Sequence, residues 1–124
     1  MRIVNVMPVI AMCTSSAAFA DTALNCAFTS DCMTGEICED TNFTLSLAVE
    51  VVGKSALVDV VKATMTTDAE TVTLHGVAHD GMYSLSGGAV FPASHHLTGA
   101  TPGPALYTTH FSGDFGITYI GACA

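Results

Sequence analysis

The chain has 124 residues, three Lys or Arg against eleven Asp or Glu, and a formal net charge of −8. A surface this acidic excludes nucleic acid as a partner, because affinity there comes from Lys and Arg neutralising phosphates, and it disfavours anionic lipid for the same reason. The field it generates steers cationic partners, and the length suits one domain.

The first twenty residues, MRIVNVMPVIAMCTSSAAFA, differ in character from the rest. Arg2 gives a positive start, Ile3 to Met12 is mostly apolar, and small residues end in Ala18-Phe19-Ala20. This is the layout of a secretory signal cleaved after Ala20. Its apolar run is about ten residues, short of the roughly 20 that cross a bilayer. Acylation at Cys13 is disfavoured by the bulk of Met12 before it. The expected product is a single exported domain, residues 21–124, periplasmic or secreted, with no membrane span. It keeps Lys54 and Lys62 as its only Lys or Arg residues.

From Asp21 to Asn42 turn formers and carboxylates show no period, so the expectation is mostly loop with a short strand at Ala23 to Phe28. This region contains CAFTSDCMTGEIC, Cys26 to Cys38. A thiolate zinc site places its first ligands two to four residues apart so that one tight turn aims both sulfurs; five intervening residues are too many. No C-x-x-C redox pair exists. Once Cys13 leaves with the signal, Cys26, Cys32, Cys38 and Cys123 remain, an even count that reads as two disulfides in an exported chain. If the first strand lies beside the last, Cys26 meets Cys123 and Cys32 closes on Cys38. The swap, Cys32 with Cys123 and Cys26 with Cys38, is energetically similar. On the loop-entropy model the long bridge contributes about 4–5 kcal/mol and the short one about 2 kcal/mol.

The clearest strand follows. In NFTLSLAVEV, Phe43, Leu45, Leu47, Val49 and Val51 alternate with polar or small residues, the period of a half-buried strand. Gly53-Lys54 is read as a turn, and ALVDVVKATM as a strand with Val58 and Val60 facing opposite to Asp59. After a turn at Thr67 to Glu70, TVTLHGVA sets Val72 and Leu74 against Thr71, Thr73 and His75. Asp80-Gly81 tolerates the positive φ of a type I′ turn and predicts a hairpin into MYSLS. AVF, residues 89–91, reads as a short strand stopped by Pro92, and Ala93 to Pro104 as the longest loop. ALYTTHF and GITYIGAC form a last hairpin around Ser112-Gly113-Asp114. Helix periodicity is weak throughout. The fold class is all-β: a small antiparallel barrel or sandwich of six to eight strands with an N-terminal disulfide-stapled loop.

A cysteine near the start of the exported chain, a β-rich middle and a cysteine at the end resemble the periplasmic inhibitors of C-type lysozyme, of the membrane-bound lysozyme inhibitor type. The resemblance implies a small antiparallel barrel with a closing disulfide and an inhibitory loop carrying Ser-Gly-x-x-Tyr. Here the corresponding stretch is Ser86-Gly87-Gly88-Ala89-Val90, with Val90 where that family has tyrosine, and no lysine follows Lys62 to supply its later Lys-Gly element. The cysteine loop also looks like that of small exported bacterial β proteins of unassigned activity.

Asp31, Glu36, Glu39 and Asp40 crowd the cysteine loop and are the candidate partner-binding residues, an acidic patch for a cationic protein. The order of an EF-hand calcium loop is absent. His75, His79, His95, His96 and His110 raise copper or zinc handling as an alternative. Against it, i and i+4 on a strand lie about 13 Å apart, and adjacent His95 and His96 face opposite ways. The expectation is therefore no metal and no cofactor. Gly113-Asp114-Phe115-Gly116 contains the Asp-Phe-Gly of kinases but neither a phosphate loop nor a pairing lysine accompanies it; no nucleophile elbow occurs. The expected role is a non-catalytic binding protein, an inhibitor of a cationic enzyme, with metal handling or a structural envelope role as alternatives.

Overall fold

The computed structural model describes residues 21–88, 93–111 and 115–124. The expected export signal, the expected strand at 89–91 and the hairpin tip at 112–114 lie outside the described residues. Nine strands follow one another: β1 (Asp21–Met33), β2 (Glu39–Asp40), β3 (Thr44–Lys54), β4 (Asp59–Thr66), β5 (Thr71–His79), β6 (Met82–Gly87), β7 (Ser94–Ala100), β8 (Gly103–His110) and β9 (Gly116–Cys123). From β3 onward each strand pairs antiparallel with the next in sequence, and β1 pairs with both β3 and β9. Eight strands thus close an up-and-down barrel, the arrangement that removes unpaired sheet edges. The two-residue β2 is an addition hung on β1, through Ser30↔Asp40 and Asp31↔Glu39.

Alternation decides which residues fill the barrel. Leu45, Leu47, Val72 and Leu74 point inward and are buried, as their period predicts, whereas Ser46, Thr71, Thr73 and His75 face out. Polar residues outside and aliphatic residues inside invert the pattern of a lipid-embedded barrel. At Asp80-Gly81 the hairpin forms as expected, with φ of 50° and 79°. Closing a small barrel also demands sharp coiling, and inward glycines permit it. A Cβ on Gly121 would overlap the Ala27 carbonyl, and one on Gly76 the Ser84 carbonyl.

The seam between first and last strands is both hydrogen-bonded and covalent. Cys26 and Cys123 are register partners and form a disulfide, each 2% exposed and inside the core. Asn25 and Ala124 exchange backbone hydrogen bonds of 2.9 and 3.0 Å next to it. Cys32–Cys38 is the second disulfide. The first of the two weighed pairings is the one present.

Four local expectations are overturned. The segment expected to be mostly loop is the longest strand, β1, with Leu24, Cys26 and Phe28 all buried on one face. Its inward row is broken by a register shift between Phe28 and Ser30, so no simple period runs its length. The expected loop at 93–104 contains β7, whose inward positions are His95, Leu97 and Gly99; only Leu97 advertises a core. In β4 the inward face is Val61, Ala63 and Met65, which leaves Val60 41% exposed. A bulge between Val51 and Gly53 in β3 shifts the pairing by one residue there, and β3 runs on through Gly53 and Lys54, the expected turn, to a tighter turn at Ser55–Val58 closed by a 2.9 Å backbone bond.

Candidate functional site

The barrel has two unlike ends. One carries the turns at 55–58, 80–81 and 101–102, all short. The other, the loop end, carries the connections at 33–38 and 111–115 together with a short turn at 67–70. Beyond β3, β1 continues alone with β9 and bends back through a turn into β2. Glu36 N–H donates to the Met33 carbonyl at 3.0 Å, and Gly35 has φ of 80°, the geometry that calls for glycine at the third position of a type II turn. Cys32–Cys38 staples this hairpin at its base. The loop is therefore fixed in shape by a turn, a disulfide and two ladder pairs.

The stapled hairpin is tied to the β8–β9 connection. Thr34 N–H donates to the Gly116 carbonyl at 3.0 Å, and Gly116 N–H donates to Thr34 Oγ1 at 2.9 Å. Across that connection Phe111 N–H donates to the Phe115 carbonyl at 2.9 Å, and the two rings lie 5.5 Å apart. Three apolar side chains consequently face water at one end of the molecule. Ile37 is 85% exposed, with Phe111 and Phe115 at 36% and 40%.

Glu36, Glu39 and Asp40 are exposed on the same hairpin, and Asp31 is half-buried on β1, register partner of Tyr119. Burial first, then the Asp31 charge, holds the Tyr119 phenol above its usual range. Asp68 and Glu70, on the β4–β5 turn, add two more exposed carboxylates to this end. Lys54 lies at the opposite end, paired with Asp59 at 3.2 Å; Lys62 sits in the β4 ladder opposite Glu50. All four residues singled out from the sequence are thus brought to one end. Ile37, Phe111 and Phe115 were missed. Their signal is apolar residues standing inside polar turn segments, Gly-Glu-Ile-Cys-Glu and Phe-Ser-Gly-Asp-Phe.

Beneath this end the barrel is filled by rings. Phe28, Phe43, Tyr107 and Tyr119 have centroids 4.4–6.1 Å apart, spacings that favour aromatic pairs. His95, 5% exposed, stacks on Tyr107 and forms a 2.6 Å hydrogen bond between Nδ1 and the phenol. Burial, then the charges of Glu70 and Tyr119, pushes the Tyr107 phenol far above its usual range. The phenol therefore stays protonated, and the His95 tautomer decides which of the two groups donates. Glu70 lies 3.8 Å from His95 Nε2. His95 and Tyr107 are buried in the core, and Glu70, at the outer end of this chain, is 53% exposed. The other histidines hold outward positions, His75 and His79 on β5, His96 on β7 and His110 on β8, and among the described residues no three His, Cys, Asp or Glu side chains gather as a metal group. Among the described residues no helix is long and apolar enough to cross a membrane.

These features define a disulfide-closed, eight-stranded antiparallel barrel with a rigid, acidic and partly apolar loop end. No family model, curated protein or solved structure matches the chain.

Proposed function

We propose that this is an exported, non-catalytic binding protein whose loop end docks a cationic protein partner. The observation that carries the reading is the gathering, at the end built around a cross-linked hairpin, of three exposed apolar side chains with six carboxylates drawn from the hairpin and the neighbouring connections. Interfaces of this composition combine an apolar centre with a charged rim. The carboxylates steer a basic partner toward the end, and Ile37, Phe111 and Phe115 supply area that leaves water on contact. Rigidity matters because a pre-shaped loop loses little freedom on binding. Two disulfides support export to an oxidising compartment, in keeping with the signal read at residues 1–20. The layout resemblance to inhibitors of C-type lysozyme, themselves directed at a basic enzyme, supports the choice of a basic enzyme as partner.

The test is calorimetric titration of the oxidised protein with a panel of basic proteins that includes a C-type lysozyme. The expected result is saturable binding at low salt that weakens steeply as salt approaches 0.5 M. It should weaken at least tenfold when Glu36, Glu39 and Asp40 are replaced by their amides. Binding that ignores salt, or no binding to any member of the panel, overturns the reading.

A further inference from the structure

The two halves of the barrel interior are filled differently. Toward the loop end four aromatic rings and His95 occupy the lumen. Toward the turn end the inward residues are smaller, and a cavity of about 320 Å³ remains open at the mouth. An eight-stranded barrel has an interior just wide enough to be filled by side chains or to hold one small ligand; this one is filled in one half and open in the other. The floor and walls are aliphatic: Leu24, Val49, Val51, Val61 and Leu85 all contribute.

Besides Thr22 and Asp59, two buried polar atoms interrupt this lining. The Tyr83 hydroxyl and Thr101 Oγ1 are both removed from solvent, and neither has a hydrogen-bond partner of acceptable geometry. Thr101 Oγ1 comes close enough to the Tyr83 phenol to favour its ionised form, though not in the geometry of a formed hydrogen bond, and burial outweighs it and holds the phenol protonated. A buried hydroxyl left unpaired costs about 1–3 kcal/mol, and two sharing one cavity call for a common partner. Register puts them near the mouth: Tyr83 pairs with Gly99, one inward step outside Leu85↔Leu97, and Thr101 follows β7. The apolar floor lies deeper. At the rim, Asp59 is already paired with Lys54 at 3.2 Å, so no spare charge awaits a charged head, which would be buried at high cost.

We propose that the turn end of the barrel is a binding site for a small uncharged amphiphile, an alkyl chain or ring bearing one hydroxyl or carbonyl. The apolar body enters first, against Leu24, Val61 and Leu85, and the polar group stops at Tyr83 and Thr101. At liquid water's share of roughly 30 Å³ per molecule, the cavity holds on the order of ten non-hydrogen atoms. This site is at the opposite end from the docking surface, and the two proposals stand or fall separately.

The probe is 1-octanol, titrated into the isotopically labelled, oxidised full chain and followed by amide and methyl chemical shifts. Saturable one-to-one shifts at Val49, Val51, Ala78, Tyr83 and Leu85 are expected, with octanoate and octylammonium binding at least tenfold more weakly. Replacing both hydroxyls, Tyr83→Phe with Thr101→Val, should weaken octanol about tenfold while the thermal midpoint holds or rises. Ala78→Leu, which fills the lumen from its inward position, should abolish binding; Val51→Leu at the rim serves the same purpose should that variant fail to fold. The proposal is overturned by solvent only in the cavity, seen as no saturable shift up to the solubility of octanol. It is equally overturned by octanol binding that these substitutions leave unchanged, or by either charged probe binding as well as the alcohol.

Discussion

The loop half and the turn half of this barrel share strands and hydrogen-bond ladder, yet they solve opposite problems. In the loop half, four rings and a histidine fill the lumen, so its wall is rigid and what it offers lies outside, on the stapled hairpin. In the turn half the connections at 55–58, 80–81 and 101–102 are tight, Leu57 and Met82 stand 77% and 57% exposed beside them, and the lumen is left unfilled. Side-chain volume along the inward rows makes the difference: Phe28, Tyr107 and Tyr119 at one level, Val49, Ala78 and Val61 at another. One barrel can thus carry an exterior protein-docking end and an interior small-molecule end without either constraining the other.

The contrast is broken most severely through the disulfides. Replacing Cys26 and Cys123 by alanine removes the bridge across the seam and should destabilise the barrel by about 4–5 kcal/mol, read by urea denaturation. The same exchange at Cys32 and Cys38 should cost about 2 kcal/mol or less and leave barrel circular dichroism intact, while docking weakens because the hairpin loses its shape. Gly121→Ala comes next. Its Cβ would overlap the Ala27 carbonyl at the seam, and an overpacked backbone contact should cost roughly 1–3 kcal/mol. Tyr107→Phe leaves His95 Nδ1 buried without its partner, with an expected loss of about 1–2 kcal/mol, again by urea titration.

A smaller effect sharpens the comparison by pH. Tyr83, Tyr107 and Tyr119 all have phenols raised above 10 in the folded protein, mainly by burial. Stability is therefore fully present below pH 10. It falls as pH rises above 10, because the unfolded chain then releases phenolic protons that the folded barrel retains. Ultraviolet titration of phenolate should show Tyr107, the most strongly raised, ionising only as the barrel unfolds. The smallest expected change in stability comes from the Glu36, Glu39 and Asp40 amides, within about 0.5 kcal/mol because these groups are exposed.

What was legible in the sequence follows the physics of alternation. β3 and β5 read clearly because leucine and valine occupy the inward positions at 45, 47, 49 and 51 and at 72 and 74. β1 and β7 did not, because cysteine, histidine and glycine stand where aliphatic residues would announce a core. His95 is acceptable inside only through Tyr107, twelve residues on, and no local window contains that pairing. Closure into a barrel hung on β1 meeting β9, a contact between chain ends of which the cysteine positions gave the one hint. The acidic half of the proposed docking surface was visible since Asp31 to Asp40 are near neighbours. Its apolar half depends on Thr34 meeting Gly116, 82 residues away. The turn-end cavity had no signature at all, since an unfilled volume is not a motif.

The central claim, that the two ends bind different things, is tested most directly by one labelled sample and two probes. Amide shifts are mapped first with a C-type lysozyme at low salt and then, on a fresh portion, with 1-octanol. The account expects the basic protein to move residues 31–41 and 115–117, and octanol to move residues 49–51, 59–61 and 78–85, with little overlap. Both sets of shifts falling at one end, or lysozyme mapping to the short turns, would contradict it.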